Sequence, residues 1–192
     1  AWDVTSIAGI NEAENLVYYT STEVSPLERH LYVVATSGIN KSRLTIENGR
    51  HNVNVSTQGQ YFIDTYSNLT TPRQINIKNA KGITVKTLES NEAVKEYVEK
   101  NTYSTRDLLQ FTASDGQKID IYLVKPVDFD ASKKYPLVLT IYGGPGSQSV
   151  YNQWNSSSWE QCLAQNGYVV ASVNNRGSGG YGQQFMESVY KK

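Results

Sequence analysis

Leu137-Val138-Leu139-Thr140-Ile141-Tyr142 runs without a charge into Gly143-Gly144-Pro145-Gly146-Ser147-Gln148. A nearly continuous apolar run closed by turn residues reads as a strand covered on both faces, as in a parallel sheet. Tyr168-Val169-Val170-Ala171-Ser172-Val173 reads the same way. Between them, Ser157 and Glu160 make a capping-box pattern, Trp159, Cys162 and Leu163 fall on one face, and Gly167 can end the helix. Strand, helix and strand joined by a crossover of about 25 residues make a βαβ unit. Residues 91–192 therefore read as the opening of an α/β domain, with Gln183–Lys192 beginning a further helix.

Upstream, Leu108–Ala113 and the alternating Ile119, Ile121 and Leu123 flank Ser114-Asp115-Gly116-Gln117, and Asp-Gly supplies the positive φ values of a tight hairpin. Ala93, Val94, Tyr97 and Val98 make a helical stripe ending at Lys100, with Ser90 or Asn91 placed to cap it. Residues 1–90 have another rhythm. Leu16–Ser21, His30–Thr36, Gln60–Tyr66, Arg73–Ile77 and Ile83–Leu88 read as short strands rich in Tyr, Val and Thr. The pair at 16–20 and 31–35 is echoed at 61–65 and 74–78, an offset of about 43–45 residues that matches a four-stranded propeller blade. A small sandwich is the other reading, and period alone leaves both open.

Composition narrows the function classes. The 192 residues carry 18 basic and 18 acidic side chains, a formal net charge of zero, so the generic case for binding nucleic acid is missing. No apolar run nears the ~20 residues that cross a bilayer. Cys162 is the only cysteine, and His30 and His51 are the only histidines. That leaves no cysteine cluster or histidine-rich set for a metal, and no cofactor is expected. His30 and His51 read as surface residues of strands or loops, and Cys162 as a small buried hydrophobe. The chain begins at Ala1 and stops on a nascent helix, which reads as a piece cut at both ends.

Two glycine-rich segments follow the covered strands, where α/β sheets keep their functional loops. Gly177, Gly179 and Gly182 fit G-x-G-x-x-G and suggest a dinucleotide-binding module. Asn174, Asn175 and Arg176 intervene, however, and the acidic ribose partner expected ~20 residues on would fall past Lys192. Neither Ser147 nor Ser178 has the glycines of a nucleophile elbow, and G-x-S-x-G is absent from the chain. Tyr142, ahead of Gly-Gly-Pro-Gly, would hold a phenol at the mouth of the sheet. Such a donor aimed at a developing oxyanion is worth about 2.7–4 kcal/mol in the transition state. The plainer reading, in which Tyr142 packs and the glycines serve a turn, stays open on the residues alone.

Lys133-Lys134-Tyr135-Pro136-Leu137-Val138, Tyr142 to Gln148, Gly167-Tyr168-Val169-Val170 and Arg176-Gly177-Ser178-Gly179 together resemble the prolyl oligopeptidase family of serine peptidases, closest to its dipeptidyl peptidase IV branch. The resemblance spans essentially the whole chain. It implies a β-propeller fragment of antiparallel strands at 1–90, the last blades, followed at 91–192 by the N-terminal part of an α/β-hydrolase domain, truncated at both ends. The implied reaction releases short amino-terminal peptides, often after proline, through an acyl-enzyme, with a peptide as substrate. Tyr142 takes the family's oxyanion-donor position, and Gly143, Gly144, Pro145 and Arg176 take loop-supporting positions. The family's Asp-Gly before the arginine is Asn174-Asn175 here.

The Ser/Asp/His triad is absent: no elbow occurs, and no histidine follows His51. The acidic residues that hold a substrate's amino terminus belong to earlier propeller regions. The 192 residues are therefore expected to be inert by themselves. A non-catalytic scaffold relative remains the alternative, separable by whether Gly-x-Ser-x-Gly follows Lys192. The resemblance points to the periplasm or a cell surface, which the sequence itself leaves open, as it does a homodimer of the longer protein.

Overall fold

The computed structural model describes residues 2–190, which group into two compact units. One runs to Glu92 and takes in Tyr151–Trp154 and Gly180–Gly182; the other takes Ala93–Val150, Asn155–Gly179 and the residues from Gln183 on.

The first unit is built from two antiparallel meanders. β1 (Val4–Asn11), β2 (Leu16–Ser21), β3 (His30–Ala35) and β4 (Ser42–Arg43) pair in chain order, as do β5 (Arg50–Val55), β6 (Tyr61–Ser67), β7 (Gln74–Asn79) and β8 (Thr84–Glu89). The second strands open at Leu16 and Tyr61 and the third at His30 and Gln74, the spacing that the repeat expects of successive blades. Tyr18, Leu31, Leu44 and Phe62 form one core shared by the two sheets, with Val33, Val53 and Val55 packed on it. Burying each large apolar side chain of that kind contributes about 1.5–3 kcal/mol.

β1, β4 and β5 were not expected from the sequence. β1 carries register shifts at Val4/Ser6 and Ile7/Gly9, which break the period-two alternation. β5 reads Arg-His-Asn-Val-Asn-Val and looks too polar for a strand. The expected segments 60–66, 73–77 and 83–88 are also found one or two residues later.

The second unit holds α1 (Glu92–Lys100, entered from the first unit), β9 (Arg106–Thr112), β10 (Lys118–Val124), β11 (Leu137–Thr140), α2 (Ser158–Gln165), β12 (Val169–Val173) and α3 (Gln183–Glu187). Helix α3 realises the start expected at Gln183; Lys191 and Lys192 lie outside the described residues. The sheet order is β11-β12-β10-β9. Only β11 and β12 run parallel, because the long crossover through α2 lets the chain return in the same direction. The β9–β10 hairpin makes the rest antiparallel, so the expected parallel sheet is a mixed one. β11 is an edge strand here and leaves Leu137 and Leu139 exposed, against the expectation of cover on both faces.

Local expectations change at the β9–β10 turn and at α1. Only Gly116 takes positive φ in the β9–β10 turn, where Ala113 donates to Gln117 and Gly116 to Ala113; this is a three-residue loop, not a two-residue one. Asn91 gives its side-chain amide to the Arg73 carbonyl, and the stripe on α1 buries nothing among the described residues. In α2, Ser157 accepts from the Glu160 amide and the helix closes through Gly167 to Ala164 and Tyr168 to Leu163 bonds, as a Schellman end requires.

The buried face of α2, however, is Glu160, Gln161 and Ala164, while Trp159 and Cys162 are exposed. Arg106 and Tyr122 decide this orientation. Arg106 grips Glu160 at 2.8–3.1 Å while stacking 4.0 Å over the Tyr122 ring. Tyr122 donates to the same carboxylate at 2.8 Å and Asn155 donates to it at 2.8 Å. A carboxylate with that many donors is stable when buried, so the helix turns its acid inward and its cysteine out.

Candidate functional site

β11 ends at Thr140, and the next two residues carry the chain out of the sheet to Tyr142. Gly143 and Gly146 sit at φ +78° and +79°, turning the loop back on itself. The Tyr142 ring lies across Gly144, where a Cβ would come within 2.9 Å of Cε1. The ring is 63% exposed, so it is not packed sideways into a core. A phenol so placed is a hydrogen-bond donor on a pre-shaped turn.

The second glycine-rich segment holds the first in place. Gly146 donates to the Gly177 carbonyl at 2.7 Å. Gly179 leaves room for the Gly146 carbonyl, which would stand 2.9 Å from any Cβ added there. Gly179→Ala is therefore expected to push the two loops apart and to lower stability in urea unfolding by about 1–3 kcal/mol; an unchanged midpoint would show that the loops do not depend on that approach.

Asn174, fully buried, fixes the far end of the Tyr142 loop. Its Oδ1 accepts from the Ser149 and Val150 amides at 2.9 and 2.8 Å, and its Nδ2 donates to the Val150 carbonyl at 3.0 Å. Only an amide does both, since a carboxylate has no donor. Arg176 reaches Asp115 in the β9–β10 turn at 2.6 Å. That bond, with the Gln117 amide, holds the Asp115 carboxyl below its usual range. The structure thus gathers Tyr142, Gly143, Gly144, Pro145 and Arg176 around two interlocked loops. Gly182, the last glycine of the G-x-G-x-x-G match, donates to Asp3 at 3.1 Å, as does Gly180 at 3.0 Å.

The histidines overturn their surface assignment. His30 and His51 are buried in the first unit, with rings 5.2 Å apart. His30 faces Thr45 and Glu28; His51 faces Asp64 at 2.9 Å and the Glu47 carbonyl at 2.9 Å. Glu47, His51 and Asp64 are spaced as a metal set would be. The Lys78 ammonium lies 3.0 Å from Glu47 and 3.1 Å from Asp64, and it supplies the cation itself.

Two carboxyls here carry an acid dependence. Burial pushes Glu28 up, but bonds from His30 and Asn152 outweigh it and leave it below its ordinary 4.5. Burial likewise raises Glu47, while its own backbone amide and Lys78 bring it below 4.5. A depressed folded pKa means that the unfolded chain binds the proton first. The contribution is whole above about 4.5 and is lost as the pH falls through the folded values. Urea midpoints compared at about pH 6 and about pH 3.5 should drop in acid, and less so in a Glu28→Gln/Glu47→Gln variant. An equal drop in both proteins would assign the acid sensitivity elsewhere.

Residues 1–73 match the family described as "Dipeptidyl peptidase IV (DPP IV) N-terminal region", and residues 154–192 match "Prolyl oligopeptidase family". The chain is 34% identical over its whole length to a protein named "Probable dipeptidyl peptidase 4" from Emericella nidulans, covering 25% of that relative. It is 29% identical to dipeptidyl peptidase 4 of Trichophyton equinum, with the same 25% share. The solved structure of Porphyromonas gingivalis dipeptidyl peptidase 4 superposes with a TM-score of 0.89 at 34% identity, over 98% of this chain and 27% of that one. The chain thus spans about a quarter of the length of these relatives. It pairs propeller-type sheets with the start of a hydrolase sheet, as the resemblance implied. No helix is long and apolar enough to cross a membrane among the described residues.

Proposed function

Because the chain belongs to the prolyl oligopeptidase family, in its dipeptidyl peptidase IV branch, we propose that it supplies the oxyanion donor of a serine exopeptidase that releases short amino-terminal peptides, often after proline. Residues 1–90 serve as the closing blades of the propeller and 91–192 as the first part of the hydrolase domain. One observation carries this reading: the Tyr142 phenol stands exposed at the carboxyl end of β11, on a loop locked by Gly146 and Gly177.

In the reaction a serine from outside these residues attacks the scissile carbonyl. The carbonyl π electrons move onto oxygen, and the Tyr142 hydroxyl donates a hydrogen bond to that developing charge. The donor is already placed, so no reorganisation is needed when the charge appears. Histidine and acid complete the machinery from the same outside residues, and the 192 residues alone turn over no peptide. Steady-state kinetics of Tyr142→Phe in the full-length peptidase, on a chromogenic Xaa-Pro substrate, test the assignment: kcat should fall while KM holds.

A further inference from the structure

The first unit carries an open pocket of about 470 Å³ with both sheets in its wall, a size suited to a small ligand group. Arg29, Arg50 and Arg73 line it, together with Thr20, Ser67 and Gln153, and none of the lining residues among those described is Asp or Glu. A chain of zero net charge has therefore gathered three guanidinium groups around one space.

Arg50 and Arg29 both bond neutral groups and lie over one tyrosine ring. Arg50 donates to the Gln153 side chain at 2.8 Å and stacks 4.3 Å over the Tyr151 ring. Arg29 donates to the Pro26 and Glu28 carbonyls at 3.0 and 2.7 Å and lies 5.4 Å over the same ring. Arg73 is exposed, and neither it nor Arg50 forms an ion pair among the described residues. Of the nearby carboxylates, Asp3 accepts from Gly180 and Gly182 while its charge also favours the charged Arg29, and Glu28 accepts from His30 and Asn152. Burial lowers the Arg29 pKa from its ordinary value, with Tyr151 and Asp3 opposing it and Arg50 adding to it. A planar guanidinium fixed by stacking and one amide keeps its remaining N–H edge for a bidentate oxyanion.

We propose that this cavity binds a peptide carboxylate, gripped by Arg50 and Arg73. The choice of a carboxylate over other oxyanions rests on the exopeptidase reading. The carboxylate has two sources, an acidic side chain or a free carboxyl terminus.

Isothermal titration of the full-length protein distinguishes them. Acetyl-Asp-Asp-amide presents side-chain carboxylates only, acetyl-Gly-Gly a terminal one only, and acetyl-Gly-Gly-amide neither. All three are blocked at the amine, so exopeptidase turnover does not consume them. At least one acidic peptide should bind and the neutral one should not. Arg73→Gln and Arg50→Gln should each weaken that binding by about tenfold. Arg73→Gln, at an exposed site, should leave the unfolding midpoint unmoved, so its loss reads on the ligand and not on the fold. Absence of binding by both acidic peptides, binding indifferent to Arg73→Gln, or tighter binding of inorganic phosphate would each overturn the proposal. Tyr142→Phe should leave this binding unchanged. The cavity and the oxyanion assignment therefore fail separately, one in calorimetry and the other in kcat.

Discussion

Tyr142→Phe is expected to lower kcat of the full-length peptidase about 10²–10³-fold, as removal of one oxyanion donor does. The substitution deletes one hydroxyl and keeps the ring that rests on Gly144. Because the side chain is largely exposed, no core packing is lost and the unfolding midpoint should stay put. The missing bond exists only once negative charge has built up on the carbonyl oxygen. Ground-state binding is untouched, so KM should change little while kcat and kcat/KM fall together. That split separates the donor role from packing: a ring that merely fills space would show wild-type kcat in the Phe variant. A fall in kcat with a matching fall in the unfolding midpoint would point to a damaged fold instead.

Asp64→Ala carries the largest expected cost to stability, about 3–5 kcal/mol in urea unfolding. Asp64 is fully buried and takes bonds from His51 at 2.9 Å and from Lys78 at 3.1 Å. Its removal strands a buried ammonium, which then has only the half-exposed Glu47 as an ion-pair partner among the described residues, and leaves the His51 Nδ1 without its acceptor. The penalty is the exposed cost of an uncompensated charge more than the worth of the bond itself. Adding Lys78→Met should therefore recover part of the loss, and a double-mutant cycle measures that coupling. The Lys125–Asp107 pair, 2.8 Å apart but solvated, is the contrast: Asp107→Ala should cost about 0–1 kcal/mol. Equal costs at Asp64 and Asp107 would mean that burial does not set the value of the Asp64 cluster.

What could be read beforehand followed local chemistry. The blade repeat was visible because the β2–β3 strand pair returns as β6–β7 about 44–45 residues on. Gly143-Gly144-Pro145-Gly146 after an apolar run was legible as a turn, while the donor role of Tyr142 rested on the family resemblance. Asp64 could have been placed inside, since it shares the face of β6 with buried Phe62 and Tyr66. His51 likewise shares a face of β5 with Val53 and Val55, which pack on the core. Residue type works against both placements, because a polar residue in a strand is usually on the wet side. Glu160 was read as half of a cap, but its carboxylate serves Arg106, 54 residues earlier, a pairing that no local pattern encodes. The cavity arginines are further still from legible. Arg29, Arg50 and Arg73 meet only because two consecutive sheets share a wall.

Tyr151–Trp154 belongs to the first unit although the chain has by then built much of the second. Asn152 bonds Leu27, Glu28 and Leu69, and Gln153 bonds Arg50. On the ribosome, then, the blades emerge well before the strip that seals them, and they must wait half-finished while the intervening residues are synthesised. A gene dissected at the helix border would never deliver that strip, so protein engineers seeking the blades alone would have to graft it back.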